Sequence, residues 1–363
     1  MQSDPPPPEP VRQEDGDPQP RLRVDLGIFA HNEAGVIGAM IDGLARQTVW
    51  DRPDLDLRAV VLVNGSTDAT AAIAREAAAS LPHRLPIEVV ELAEGGKSRT
   101  WNRYVHDLSR PDAGMLLFAD ADIRLPEADT LERLVDALAG RPQLVAYSSR
   151  PIKDLVFQPA LQQGFTSRLI ARSAGTLDSW RTALSGSLYA LRTDVARGLH
   201  LPIGLPVEDG FLRAMLVTDA LEEPEDAARI SAEEGLFHIY TSERSAAALV
   251  RHQIRIVIGS ALNEAIFRHL SDCPPGTRKA ELARAAGDDG WLGRVAAERL
   301  PRAPWGYVPV HFLVKRLQTL SRDPARRRSP RAIALAALGF GFDLTVYVAA
   351  QLRMARGQGP GFW

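Results

Sequence analysis

The sequence predicts an α/β protein built on a mostly parallel central sheet flanked by helices. Three observations carry that reading. Short apolar runs alternate with amphipathic helical stretches from Arg23 to Tyr147, the pattern of successive βαβ units. Several of those runs end in glycine-rich or polar turns. The run Met115 to Ala119 holds no charged residue and stops abruptly at Asp120-Ala121-Asp122, as a strand buried on both faces of a parallel sheet does.

The bulk numbers set the limits. The chain has 363 residues, 45% of them hydrophobic, enough for one large core or two modest ones. A net charge of −2 gives no global basic field, which argues against a nucleic-acid partner. One cysteine, Cys273, excludes an intramolecular disulfide and the cysteine-rich metal spacings, and suits a reducing compartment. No secretory signal opens the sequence. Residues 1–21 are proline-rich and acidic with almost nothing to bury, so a disordered tail is expected there.

Order is expected from residue 22. Val24, Leu26 and Ile28 alternate into a strand that ends at Ala30-His31-Asn32-Glu33, and Val36, Ile37, Met40, Ile41 and Leu44 form the stripe of the helix that follows. The second strand, Ala59 to Val63, ends in Asn64-Gly65-Ser66-Thr67-Asp68, where Thr67 or Asp68 can cap the alanine-rich helix after it. Ile87 to Leu92 makes a third strand, and Gly95-Gly96-Lys97 opens the next helix. After Met115 to Ala119 come a helix starting at Thr130 and a strand from Leu144 to Tyr147. Residues 151–183 read as loop and helix, Ser187 to Leu191 as a strand, and Glu208-Asp209 as the start of a helix containing Phe211, Leu212 and Met215. Gly235 to Tyr240 closes as a strand, and a helical pattern resumes from Ser245.

Ligands of open α/β sheets gather at the carboxyl ends of the strands. The Asn64 turn, the Gly96-Lys97 loop and the Asp120/Asp122 pair all follow such ends and should share one rim. Two carboxylates two residues apart can point to one side and grip a hard cation with its phosphates. The Asp-x-Asp pattern also occurs at Asp15/Asp17 and Asp54/Asp56, but only Asp120/Asp122 follows a buried strand.

Taken in order, Ala30-His31-Asn32-Glu33, the Asn64 turn, Gly96-Lys97 to Asn102, Asp120-Ala121-Asp122, Gly186 and Glu208-Asp209 resemble the inverting family 2 glycosyltransferases of GT-A fold, over about residues 23–260. The resemblance implies a metal-dependent enzyme moving a sugar from a nucleoside-diphosphate-sugar to a hydroxyl acceptor, glycan or lipid. It implies that Ala30, Asn32, Glu33 and Asn64 hold the nucleoside, although many relatives have aspartate at the position of Asn64. Lys97 would lie near the base or diphosphate. Asp120 and Asp122 would bind ribose and Mg²⁺ or Mn²⁺, and Asp209 would be the catalytic base with Glu208 beside it.

Processive relatives carry Gln-x-x-Arg-Trp after the Glu-Asp motif. Here the stretch is His252-Gln253-Ile254-Arg255-Ile256: Arg255 fits, but the glutamine and tryptophan are missing, which implies transfer of a single sugar. Trp180 and Arg255 are candidate acceptor contacts. His31 and His252 read as structural or solvent-facing, because no second His or Cys sits at ligand spacing. Trp101 reads as core. Two other readings remain: a polyprenyl-phosphate acceptor, as dolichol-phosphate mannose synthases use, and a non-catalytic domain that binds a nucleotide or a partner.

Residues 261–363 read as a helical extension. Within it, 305–320 resembles an interfacial helix, with Val310, Leu313, Val314, Leu317 and Leu320 in a stripe near Trp305 and Tyr307. Residues 332–350 are long enough to span a bilayer. Eight Leu, Ile, Phe and Val side chains offer roughly −2.4 to −4.8 kcal/mol of insertion energy against about +2.5 to +3.5 for Asp343. The arginines at 322, 326, 327, 328 and 331 would face the cytoplasm or anionic lipid. The expected location is the cytoplasmic face of a membrane, held by its surface or by a single anchor.

Overall fold

The computed structural model describes residues 21–82, 85–161, 178–300, 306–322 and 329–357. The tail at 1–20, Trp305 and the arginines at 326–328 lie outside them.

Among the described residues eight strands form one sheet: β1 Leu22–Ala30, β2 Leu55–Asn64, β3 Ile87–Leu92, β4 Met115–Asp120, β5 Ile123–Arg124, β6 Ala146–Lys153, β7 Leu188–Arg192 and β8 Ile230–Tyr240. Their order is β3-β2-β1-β4-β7-β6-β8-β5. The first four run parallel, with Ile28 opposite Val61 and Ala119 on its two sides. The expected parallel sheet holds in this half. The other half is mixed, because β7 lies antiparallel between β4 and β6. The crossover from β4 to β6 leaves room for one strand, and the later segment fills it from the opposite direction. β8 runs parallel to β6, with the ladder shifted between Ser148 and Arg150, and the two-residue β5 pairs antiparallel with it.

Helices α1 Ile37–Ala45, α2 Thr70–Ser80, α3 Lys97–Arg103, α4 Thr130–Ala139 and α5 Glu208–Thr218 pack around the sheet, followed by α6 Ala246–Asp272. Strand β4 shows why two layers are needed. Met115, Leu117 and Ala119 enter a core with Ile37 and Ile41 of α1 and Leu131, Leu134 and Leu138 of α4. Leu116 and Phe118 enter the opposite core with Trp101, Tyr104, Phe211, Ile258 and Leu262. Side chains alternate along a strand, so Asp120 continues the line of Leu116 and Phe118. That side faces the starts of α3 and α5, and it decides where the site is. Trp101 is core as expected, stacked on Phe118 with 5.8 Å between ring centroids and donating to the Tyr189 hydroxyl at 3.1 Å.

Helices α7 Arg278–Ala285, α8 Trp291–Arg299, α9 His311–Arg322 and α10 Pro330–Ala355 complete the described chain. Residue 260 falls inside α6, so the catalytic fold and the extension share one continuous helix. α10 is long and apolar enough to cross a membrane, with a mean hydropathy of 1.8 over its best window. Its C-terminal half packs on α6 through Val346, Ala350 and Met354.

Candidate active site

The three rim loops meet, and backbone-directed hydrogen bonds lock them together. The Asn64 side chain is buried; its amide donates to the Ala30 carbonyl at 3.0 Å and its oxygen accepts from Gly96 N–H at 3.1 Å. One side chain thus joins the ends of β1 and β2 to the loop before α3. An aspartate here could not donate to Ala30, which gives the asparagine a structural reason. Gly65, at φ +53°, lies so close to Gly95 that a Cβ would sit 2.7 Å from its Cα. His31 Nδ1 contacts the Asn64 carbonyl at 2.7 Å, and Asn32 takes the left-handed backbone with φ 56°. Its side-chain oxygen accepts from Thr67 N–H at 2.9 Å. Asp68 accepts from Thr70 N–H at 3.0 Å just ahead of α2, but the N-cap is Ala69 and no side chain caps the helix, so neither Thr67 nor Asp68 fills the expected role.

At the centre of the rim stands Lys97, the first residue of α3. Its ammonium lies 2.7 Å from Asp120 Oδ1 and 2.9 Å from Glu208 Oε1, and it donates to the Gly186 carbonyl at 3.0 Å. Lys97 therefore binds the acid at the end of β4 to the acid that opens α5. Burial works against its charge, but Asp120 and Glu208 outweigh burial and hold its pKa above the usual lysine range. Burial pushes Asp120 up to about 6, with Lys97 pulling it down and Asp122 pushing it up. Glu208 is held below its ordinary value: burial raises it, and Lys97 more than compensates.

Asp209 differs from its neighbour. Burial and the adjacent Glu208 charge raise its pKa, which makes the carboxylate a better proton acceptor. It presses on Gly186, where a Cβ would come 2.9 Å from the Asp209 Cβ. Asn263 of α6 donates to the Val207 carbonyl at 3.1 Å, seating α6 against the start of α5. From that helix the half-buried Arg255 acts electrostatically on both Glu208 and Asp209. Trp180 lies on a short helical turn with the guanidinium carbons of Arg150 and Arg181 at 5.0 and 4.5 Å from its ring centroid. His252 pairs with Glu243 at 3.0 Å.

Glu33, beside Asp122, Asp120 and Asp68, has its pKa pushed up to about 7 by burial and by those three carboxylates in turn. Acids thus crowd the β1 and β4 ends. Among the described residues no set of three or more His, Cys, Asp or Glu side chains is spaced to hold a metal ion.

Sequence reasoning missed the support beneath the Gly186 loop. His238 of β8 is fully buried; Nε2 meets Ser187 Oγ at 2.9 Å and Nδ1 meets Ser149 Oγ at 3.0 Å. The Ser187 carbonyl accepts from Asp120 N–H at 2.9 Å. One buried imidazole therefore fixes the loop that touches Lys97, Asp209 and Asp120. Its partners are 89 and 51 residues away in sequence, too far for any local pattern to reveal.

Burial lowers the His238 pKa to about 3. The unfolded chain therefore binds a proton that the folded one refuses as pH falls below about 6.5. This contribution to stability is present above that pH and is lost toward pH 3, at about 1.4 kcal/mol per pH unit. Denaturant melts of wild type and His238→Gln from pH 7 to pH 5 should diverge by about 2 kcal/mol in slope-derived stability. Parallel profiles would show that His238 is not held neutral.

A mixed eight-stranded sheet with acids converging at the β4 end and the α5 start defines a GT-A type fold. The sequence model of the family described as Glycosyl transferase family 2 matches residues 25–197. That segment is a glycosyltransferase domain, and the protein is an enzyme of that class. Glu208 and Asp209 lie just past the matched stretch. Among solved structures, the chain is similar to the mannosyltransferase PcManGT from Pyrobaculum calidifontis, in complex with GDP-Man and Mn²⁺, at 20% identity over 93% of this chain and 88% of that one, with a TM-score of 0.51. It is also similar to mannosyl-3-phosphoglycerate synthase from Rubrobacter xylanophilus, at 15% identity, covering 66% of this chain and 73% of that one, with a TM-score of 0.46. Glucosyl-3-phosphoglycerate synthase from Mycobacterium tuberculosis is 18% identical, covering 66% and 79%, with a TM-score of 0.43. No curated protein matches the sequence.

Proposed function

We propose that the protein is a metal-dependent, inverting glycosyltransferase that moves a single sugar from a nucleoside-diphosphate-sugar to a hydroxyl on a glycan or lipid. The observation that carries this reading is the Lys97 bridge, which puts Asp120 and Glu208 on one ammonium. A donor held at the β4 end then lies beside the acids that open α5.

Asp120 and Asp122 are the proposed metal ligands. A hard divalent ion commonly uses one or two carboxylates and completes its shell with substrate phosphates and water, so the absence of a third protein ligand among the described residues fits. The crowding that raises Glu33 and Asp120 is what a cation there would relieve, and PcManGT was solved with Mn²⁺ and GDP-Man. When bound, the metal would neutralise charge growing on the departing diphosphate as a Lewis acid.

The chain's own residues do the rest. Ala30, Asn32, Glu33 and the Asn64 clamp shape the nucleoside cleft. Lys97 holds Asp120 and Glu208 in place and keeps Glu208 ionised. Asp209, raised by burial, takes the proton of the acceptor hydroxyl as it attacks the sugar carbon from the face opposite the diphosphate. Direct displacement inverts the anomeric centre and needs no covalent intermediate. Arg255 and Trp180 are the proposed acceptor contacts. The proposed catalytic unit is residues 22–260, with 261–363 as a membrane-facing extension at the cytoplasmic surface.

A polyprenyl-phosphate acceptor is the second reading, favoured by the exposed apolar face of α10. Calorimetric titration with nucleoside diphosphates tests the donor half. Affinity should rise at least about tenfold with Mn²⁺, since each tenfold corresponds to about 1.4 kcal/mol and a metal–diphosphate contact supplies more. Asp122→Ala should remove that gain. Metal-independent binding of equal strength would contradict the assignment.

A further inference from the structure

α10 is long enough to be read as a spanning helix, yet it is fastened along one side to the segment before α9 and to α6. Gln351, buried, accepts from the backbone N–H groups of Tyr307 and Val308 at 3.0 and 3.1 Å and donates back to the Val308 carbonyl at 2.9 Å. The Tyr347 hydroxyl donates to the same carbonyl at 3.0 Å. Val346, Ala350 and Met354 are buried on this side. Half-buried Asp343 falls on the same helical stripe, three and seven residues before Val346 and Ala350. The charge that made insertion marginal thus points toward the protein.

The rest of the helix is bare. Ile333, Leu335, Leu338, Leu344, Val348 and Leu352 are exposed, Leu338 to 74%, and only 6% of the most apolar window is buried. Leu344, Val348 and Leu352 repeat every four residues on the side away from α6. The exposed Thr345 hydroxyl donates to the Gly341 carbonyl at 3.0 Å. The flanking sequence is basic, with Arg322, Arg326, Arg327, Arg328 and Arg331 against one acid, Asp323. An apolar stripe beside excess arginine matches the boundary between acyl chains and anionic headgroups.

We propose that α10 lies in the plane of an anionic bilayer surface with this stripe in the headgroup–acyl boundary, and that it does not cross the membrane. This deepens the membrane contact proposed above by giving its orientation. A spanning helix would have to break the Gln351 and Tyr347 bonds and carry Asp343 into hydrocarbon, whereas an in-plane helix keeps all three on the protein.

The test uses the full chain with sealed vesicles of phosphatidylcholine, alone or mixed with phosphatidylglycerol. Cosedimentation should be weak with the neutral vesicles, at least about tenfold stronger with the anionic ones, and reduced by salt. Leu338→Glu with Leu344→Glu should lower binding about tenfold or more, while nucleotide affinity in solution stays unchanged. In a Cys273→Ser background, Pro330→Cys and Arg356→Cys should both react with an impermeant maleimide added outside the vesicles. Protection of one end would overturn the in-plane orientation and leave the membrane contact standing. No sedimentation with either vesicle, or self-association in solution abolished by the double variant, would overturn the membrane contact itself.

Discussion

Asp209→Asn is expected to lower the turnover number by about 10²–10⁴ while leaving nucleoside diphosphate affinity unchanged. Lys97 pairs with Asp120 and Glu208, whereas burial and the Glu208 charge raise the pKa of Asp209. Asparagine keeps the shape and removes the proton acceptor. The pH dependence follows with a definite sign. Asp209 must be ionised to act, so the rate should fall as pH drops through its raised pKa, and the acid limb should lie above the ordinary aspartate range. A near-normal rate in Asp209→Asn would favour the polyprenyl-phosphate reading, because that acceptor is already ionised and needs no base.

Lys97→Met should damage both stability and activity. Removing one partner of a buried ion pair leaves uncompensated charge and costs about 3–5 kcal/mol when the pair is fully buried. Lys97 keeps 33% of its side chain exposed, so about 2–3 kcal/mol is the fitting range. In a chain of 363 residues that lowers the melting temperature by about 3–4 °C. Turnover should fall by about 10² or more, since Asp120 and Glu208 would then repel across the gap Lys97 now fills. Adding Glu208→Gln should recover part of the lost stability, because the two positions are in contact and their effects couple. An unchanged melting temperature in Lys97→Met would show that the bridge does not hold the two acids together.

How far the sequence announces this site depends on chain distance. The apolar runs that became β1 to β4, and the turns closing them, are local patterns, so Asn64, Lys97 and Asp120 could be placed on one rim from spacing alone. Which of them touch could not. The partners of Lys97, Asp120 and Glu208, are 23 and 111 residues away from it in sequence, and only the sheet order brings them together. Asn64 was legible as a rim residue but not as the clamp joining Ala30 to Gly96. The antiparallel insertion of β7 between β4 and β6 was not legible either, because a strand's direction is set by its neighbours and not by its own residues. For α10, composition showed length and apolarity but not the bonds of Gln351 to Tyr307 and Val308, whose partners lie more than 40 residues away.

The central claim is that Asp120 and Asp122 form the donor half of a glycosyl-transfer site and Asp209 the acceptor half. Release of nucleoside diphosphate from a panel of nucleotide-sugars with Mn²⁺, with wild type and Asp120→Ala side by side, tests it most directly. Wild type should release diphosphate from at least one donor and Asp120→Ala should release none. Full activity in Asp120→Ala, or no release from any donor by wild type with or without membrane lipid, would contradict it.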